Sequence, residues 1–494
     1  MSSPTAGSVP LDTPTGRLVV ATTTLGSAVA MLTSTVVNVA LPALATDLDA
    51  STAEQQWIVN AYLLTLASLI MVGGSLGDRY GRVRIYRIGV ALFAVASVLC
   101  ALAPSVEVLI ACRLVQGIGG ALLTPGSLAI IEATLRPPDR GRGVGLWSGL
   151  GGIAGAIGPL VGGLLVAITW RWVFVINVPI AAAVLLMAGW LPESRDPDAK
   201  NHPIDVAGAT LTALSLGLLT YGLIEGSRDG FGQASAITLG LGVLAGVVLL
   251  VVELRTPQAL IPVDLFANAG FLGANLVTLL VYAGLGVVFL LLSVQLQVSA
   301  GWSALAAGAS LLPVTVIMLF LSSYAGELAQ RYGPRWPLAF GLLVMAGGMM
   351  LMIRADAEAT FLADVLPASL LFGLGLAFSV APVTSAALAA APESRAGAAS
   401  GTNNAVARSG QLFAVAAIPP LAGLTGDAMS DPVRMAEAYP LAVTIAAALV
   451  ASGALVSIVL LPSNVARKRG TPRLQCPLDG PGATTSSSRD HRAK

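Results

Sequence analysis

Two charged residues sit where solvation does not account for them. Arg113 lies about a third of the way along an apolar run that continues on both sides of it. Asp78 lies in an arginine-rich turn between two apolar runs, Gly74-Ser-Leu-Gly-Asp78-Arg79-Tyr80-Gly81-Arg82-Val-Arg84. A lipid-buried arginine costs on the order of several kcal/mol unless it faces a cavity or a partner. A carboxylate just past a helix C-terminus is disfavoured by the helix dipole unless an arginine or another helix's N-terminus meets it. Asp78 is therefore a candidate conformational latch, with Gly74, Arg79, Gly81 and Arg82 shaping and charging its turn. Plainer readings stand beside these: a solvated turn whose glycines only permit tight geometry, and an arginine snorkelling out from near its helix start. Other acids able to take a proton are few. Asp364 falls about one turn inside an apolar run, where an interfacial cap is the simpler role, and Glu132 and Asp205 fall at helix ends.

Nothing assembles for catalysis. His202 and His491 lie in polar segments, Cys100 and Cys112 in apolar runs and Cys476 near the polar C-terminus, without CxxC spacing. No HExxH, nucleophile/base set or GxxxxGK[ST] phosphate loop occurs, so neither an enzyme, a metal site, a cofactor nor a nucleotide-driven pump is expected. A formal net charge of +1 gives no electrostatic footprint for nucleic acid.

The elements that carry these residues are set by composition. The chain has 494 residues, 55% hydrophobic and 11% charged, with a mean hydropathy of +0.81. That is an all-α integral membrane composition. Runs long enough to cross the hydrocarbon fall near 18–44, 55–76, 85–103, 106–131, 143–167, 171–191, 205–224, 234–254, 271–298, 304–327, 337–353, 361–386, 404–425 and 439–461, which is fourteen transmembrane helices. With the N-terminus placed inside, almost all of the 27 Lys and Arg residues sort to the inner side. The exceptions are Arg171, Arg228, Arg354 and Arg434 outside, and Arg113 and Arg408 within or at the ends of spans. This obeys the positive-inside rule and makes both termini cytoplasmic. The first residues lack the basic start and cleavage site of a signal peptide, so the first run is read as retained.

A faded copy of the Asp78 turn, Gly326-Glu-Leu-Ala-Gln330-Arg331-Tyr332-Gly333-Pro334-Arg335, follows the tenth run. A weaker echo pairs Gly117-Ile-Gly119 and Pro125 with Gly373-Leu-Gly375 and Pro382. If the loops after spans two and ten correspond, two six-helix bundles flank an inserted pair, a 6+2+6 plan of parallel repeats. The expected divisions are an N-terminal segment at 1–17, a first bundle at 18–200, two inserted helices and a linker at 201–265, a second bundle at 266–461, and a tail at 462–494 whose composition predicts disorder. Arg113 has no arginine counterpart: its repeat position is close to Ser369, so the fold does not require the charge there.

In order along the chain, these residues resemble the major facilitator superfamily, and within it the fourteen-span drug:proton antiporter branch. The match covers roughly residues 18–461. It rests on the Asp78 turn, Arg113-Leu-Val-Gln116-Gly117-Ile-Gly119-Gly120-Ala121, Gly155-Ala-Ile-Gly158-Pro159-Leu-Val-Gly162-Gly163, Thr35-Val-Val-Asn38-Val-Ala-Leu-Pro42, Trp57-Ile-Val-Asn60-Ala-Tyr62 and Trp170-Arg171-Trp172-Val-Phe-Val-Ile-Asn177-Val-Pro179. The resemblance implies that Asp78 holds the halves together, that Arg113 handles the proton through a nearby carboxylate or water, and that the Gly155 to Gly163 pattern marks an exporter. Physically, that glycine face lets another helix approach closely and Pro159 favours a kink, as ordinary packing or as a seal between the halves. The branch usually carries an Asp in the first span, where Thr33 stands here and cannot titrate. Thr33, Thr35, Asn38, Asn60, Tyr62, Asp364 and Arg408 remain as candidate cavity residues, each hydroxyl also able to bond back to its own helix. The expectation is a monomeric plasma-membrane antiporter exporting small amphipathic compounds by alternating access, with neutral, lipophilic or anionic cargo favoured. Export of a lipid or endogenous metabolite and a non-transporting sensor are the alternatives.

Overall fold

A computed structural model describes residues 9–196, 205–229, 231–256, 260–392 and 395–463. The segment with Lys200 and His202, and the tail from residue 464 with Cys476 and His491, lie outside the described residues. The described chain is helical apart from one isolated bridge between Val9 and Leu135. In order the helices are α1 Pro14–Leu48, α2 Thr52–Tyr80, α3 Arg82–Ala101, α4 Val106–Thr134, α5 Pro137–Val166, α6 Trp172–Val175, α7 Asn177–Ala188, α8 Val206–Asp229, α9 Gln233–Arg255, α10 Ala269–Val298, α11 Ala304–Ala309, α12 Leu312–Tyr332, α13 Arg335–Met352, α14 Leu366–Ala389, α15 Ala396–Leu421 and α16 Pro432–Leu460.

Local chemistry sets the breaks. Ser51 and Glu54 form a reciprocal capping box that starts α2. Asn268 caps α10 and Asp431 caps α16, each accepting two backbone N–H groups of the first turn. Gly81 (φ +116°) and Gly333 (φ +86°) turn the chain at the matching junctions after α2 and α12. At Gly81 a side chain would also meet the Glu193 carboxyl at 2.9 Å, so glycine is required twice over.

Among the described residues, eleven helical stretches are long and apolar enough to cross a membrane, and Ile157–Val166 and Trp172–Ala188 are shorter apolar helices. The difference from the fourteen expected has physical causes. The first half of α15 carries Ser400, Thr402, Asn403, Asn404 and Arg408, and α5 opens on Asp139, Arg140 and Arg142. The sixth run is broken between α6 and α7. The tenth, broken between α11 and α12, and the twelfth, which opens with a π turn at Phe361–Val365, still count among the eleven. α15 begins at Ala396, earlier than its apolar run. At the start of the chain, α1 begins at Pro14, and the segment before it is docked. Val9 N–H bonds Thr134 O, and Leu11 N–H bonds Asp139 Oδ2 at 3.0 Å. Arg136 and then the Leu11 N–H hold the Asp139 carboxyl below its ordinary range.

Packing repeats across the chain. α2 packs on α4, α3 on α4 and α7, and α1 on α5 and α7; correspondingly α12 packs on α14, α13 on α14 and α16, and α10 on α15 and α16. The hairpin α8–α9 leans on α2 and α15. The sets meet where α1 touches α10, α2 touches α15, and α5 touches α11 and α12. Hydrogen bonds between them cluster at the arginine-poor end, where α1 finishes and α2 begins. Gln56 Nε2 donates to Val415 O at 2.7 Å, Thr52 N–H to Gly426 O at 2.9 Å, Gln55 Nε2 to Ser430 Oγ at 3.2 Å and Gln297 Nε2 to Val39 O at 3.1 Å.

Candidate functional site

Arg113 is 1% exposed, and it sits inside the first bundle, not at a surface. The snorkelling reading is thereby excluded. Its guanidinium donates to Ile58 O at 2.9 Å through Nε and to Gln116 Oε1 at 2.6 Å through Nη1, and lies 4.5 Å from the Tyr62 ring centroid. The network continues through neutral groups. Gln116 Nε2 donates to Ser97 Oγ at 2.7 Å, Asn177 Nδ2 reaches the same oxygen at 3.4 Å, and Thr33 Oγ1 donates to Asn177 Oδ1 at 3.0 Å. Five helices, α1, α2, α3, α4 and α7, thus share one buried polar chain. Among the described residues no carboxylate pairs with Arg113, which leaves water as the proton partner that the resemblance implies. A buried cation held by neutral acceptors and a π face stays charged at any physiological pH.

The expected cavity residues separate. Thr33 and Asn60 are fully buried and Tyr62 is 1% exposed, so none of the three lines an open cavity in this conformation. Thr33 belongs to the arginine network, and Tyr62 donates to Ala30 O at 3.3 Å. Asn38 donates weakly to Ser34 O at 3.5 Å, while its Oδ1 and both amide atoms of Asn60 have no partner. Asp364 takes the cap role of its two readings, and its place among the cavity residues is corrected. It caps the π turn by accepting from Thr360 N–H at 2.9 Å and pairs with Arg354 at 3.0 Å, which puts it at the arginine-poor end instead of the cavity. Arg408 is half-buried in the second bundle and donates to Gln411 Oε1 at 3.1 Å. Each bundle therefore carries an arginine without a carboxylate partner among the described residues.

On α5 the glycines divide by face. A Cβ on Gly158 would stand 2.0 Å from Thr35 Oγ1, one on Gly162 3.1 Å from Val36 O, and one on Gly155 3.7 Å from Met31 Cβ, all on α1 of the same bundle. Only the far end of the stripe reaches the other bundle: Gly163 lies against Ala304 O, and Pro159 O lies against Gly308. Pro159 has no N–H, so the Gly155 carbonyl loses its helix partner. Thr35 Oγ1 stands 3.1 Å from that oxygen, its one proton shared with Leu32 O at 3.0 Å on its own helix. Thr35 therefore links α1 to α5.

The Asp78 turn is closed locally. Asp78 Oδ1 pairs with Arg82 at 2.7 Å, and the Glu193 carboxylate caps α3 by accepting from Val83 N–H at 2.9 Å and Arg84 N–H at 3.0 Å. Asp196 N–H bonds Asp78 O. In the second copy Arg331 and Glu327 are 3.9 Å apart and exposed, and Arg335 donates to Leu461 O. The profile of the Major Facilitator Superfamily matches residues 23–415. The chain belongs to that superfamily.

Among its relatives, the tetracenomycin C resistance and export protein of Streptomyces glaucescens is 35% identical over 84% of this chain and 77% of its own length. The methylenomycin A resistance protein of Bacillus subtilis is 38% identical over 64% of this chain and 68% of its own, and the puromycin resistance protein of Streptomyces alboniger 34% over 78% of each. Two solved structures share the fold. A bacterial homologue of the human lysosomal transporter Spinster superposes with a TM-score of 0.62 at 17% identity, covering 91% of this chain and 97% of that one. A D-xylose–proton symporter gives 0.63 at 16% identity, covering 90% and 98%.

The protein is thus a major facilitator transporter and not an enzyme, a multi-pass protein of the plasma membrane with relatives that confer antibiotic resistance. Ser97 and Glu193 were not anticipated from the sequence as parts of this transporter's site, and Gln116 and Asn177 had been read only as letters of family motifs. A polar side chain inside an apolar run was the available signal for Ser97, Gln116 and Asn177. For Glu193 there was none, because its partner is the start of a helix far away in sequence.

Proposed function

We propose that this transporter exports small amphipathic natural-product or drug-like compounds from the cell in exchange for protons, as a monomer. In this reading fourteen spans form a 6+2+6 arrangement with cytoplasmic termini. The first bundle ends near residue 200, the inserted pair with its linker near 265 and the second bundle near 461. The arginine-rich end then faces the cytoplasm, and the hydrogen bonds from Gln56, Thr52, Gln55 and Gln297 close the outer end. The observation that carries the reading is this one-sided closure, made partly where Gly163 and Pro159 of the exporter pattern seat α11. With the cytoplasmic side open, Asp78 rests on Arg82 of its own turn; closing that side frees it to latch the halves.

Cargo follows from charge. Arg408, half-buried on α15, has no carboxylate partner among the described residues, an environment that favours an acidic phenol or carboxylate over a cation. The resistance and export relatives support a natural-product substrate. The test is uptake into inverted vesicles of anionic, neutral and cationic dyes and antibiotics, with and without a proton gradient, comparing wild type with Arg113→Ala. Gradient-driven uptake of the anionic set, lost in the variant, supports the reading. Gradient-independent movement rejects proton exchange, and preference for cations rejects the cargo class.

A further inference from the structure

The inserted hairpin carries a buried carboxylate that neither the arginine network nor the Asp78 turn explains. Glu253, near the end of α9, is 3% exposed, and its Oε1 has no hydrogen-bond partner. Asp205, just before α8, faces it. Glu253 Oε1 and Asp205 Oδ2 each lie 2.5 Å from the position a Cβ would take on Gly208, so the two oxygens are neighbours across that glycine. Their remaining oxygens are occupied. Asp205 Oδ1 accepts from Gly208 N–H at 2.7 Å, and Glu253 Oε2 accepts from Ile261 N–H at 3.1 Å. Leu260 N–H approaches Asp205 Oδ2 at 3.4 Å, so two successive amides of the linker strap are held, one by each acid.

No cation balances the pair among the described residues. Arg255, two residues beyond Glu253, is exposed. The 3-10 turn Val263–Ala267, which packs on α9, offers Asp264, and that residue is paired with Arg395. Burial of Glu253 first, and then the neighbouring Asp205 carboxylate, disfavour the ionised form of Glu253, with no balancing cation among the described residues. We propose that Asp205 and Glu253 form a proton-binding site, with one proton on Glu253 Oε1 donated to Asp205 Oδ2, and that this proton clasps the strap at Leu260 and Ile261.

The strap matters because of what it closes. Leu260 and Ile261 wall a cavity of about 250 Å³ whose other sides include Met71 of α2, Thr212 of α8 and Val406 of α15. α2 and α15 come from opposite bundles, so releasing the strap alters a wall that both share. The clasped state binds the proton and the released state does not. Clasping is therefore complete at low pH and is lost as pH rises, with protection falling about tenfold per pH unit beyond the transition.

Hydrogen exchange of the 256–268 segment in full-length protein in nanodiscs, corrected for intrinsic exchange and followed across pH, reads this directly. Wild type should lose protection with rising pH and show the infrared C=O stretch of a protonated carboxylic acid. Glu253→Gln replaces the proton with an amide donor while keeping the acceptor for Ile261 N–H; it should keep the strap protected at every pH and lack the acid band, whereas Asp205→Asn puts an NH2 group against Leu260 N–H and should weaken protection. Glu253→Ala should lose protection throughout. Wild-type protection independent of pH, or unchanged pH dependence in Glu253→Gln, overturns the proposal. So does recovery of high-pH protection on adding sodium or calcium, which would make the pair a cation site.

Discussion

The two bundles pack alike and are wired differently. Each pair of neighbours in α1 to α7 has a counterpart in α10 to α16, and both copies turn the chain on a positive-φ glycine, Gly81 and Gly333. Yet the position that holds Arg113 in α4 is matched in α14 by Ser369, whose hydroxyl simply donates to Ser310 O at 3.1 Å. The polar core of the second bundle is small and neutral: Asn403 Nδ2 bonds Thr278 Oγ1 at 2.9 Å and Asn275 Oδ1 at 3.2 Å. Helix packing therefore does not need buried charge. The first bundle has taken on a cost that the second avoids, and that cost identifies it as the charged half of the machine.

The comparison breaks most sharply at Arg113. Arg113→Ala removes the donor to Ile58 O and Gln116 Oε1 and strands both acceptors, so stability should fall by about 2–5 kcal/mol and transport should be lost. Ser369→Ala should leave efflux near wild type and cost about 1 kcal/mol. Equal losses of vesicle uptake and melting temperature in the two variants would end the asymmetry.

Gly158 and Gly163 sharpen a second contrast, between packing within a bundle and packing across bundles. Gly158→Val drives a side chain into Thr35, which also shares its proton with the carbonyl freed by Pro159, so a stability loss of about 1–3 kcal/mol is expected with both end conformations destabilised together. Gly163→Val acts on Ala304 across the interface. It should leave melting nearly unchanged and open the arginine-poor end, read as increased labelling of a cysteine placed at Gln297. If Gly158→Val changes labelling and not melting, the division of the α5 face is wrong.

The helical class and the family were legible because they rest on hydropathy and on an eleven-residue turn, both local signals. Arg113 was legible for the same reason, as a charge inside an apolar run. What the sequence concealed were partnerships across helices. Thr33 looked like a cavity hydroxyl and proves to bond Asn177; Thr35 looked the same and proves to share its proton with a carbonyl that a proline frees on another helix. Asp364 offered both an interfacial cap and a cavity acid, and its cap on the π turn at Phe361–Val365 beside Arg354 is the simpler of the two. Spacing along one chain cannot report which face of a helix meets which neighbour.

Asp78 and Gln330 test whether the two turns differ in function as well as in charge. Asp78→Asn should insert and fold normally, since its ion pair with Arg82 is a partly exposed one of about 0–1 kcal/mol. Transport should nevertheless fall severalfold at equal expression if the carboxylate latches the opposite state. Gln330→Asp adds a charge at the matching turn and should give little gain. Unchanged efflux in Asp78→Asn removes the latch.

The smallest effect concerns the closed end. Gln56 Nε2 bonds Val415 O in the facing bundle, while its Oε1 is buried without a partner. Gln56→Leu deletes one cross-bundle hydrogen bond and at the same time removes an unsatisfied acceptor, so the two terms oppose each other. The bond exists only while this end is closed, whereas the amide can be hydrated when it opens. The net shift should therefore favour the end-open state by no more than about 1 kcal/mol, roughly a fivefold change in population. Asn403→Leu breaks bonds inside the second bundle and has no such conformational dependence. Paired spin labels across α2 and α15 should shift in Gln56→Leu and stay fixed in Asn403→Leu, because only a contact made in one state can bias the equilibrium between two.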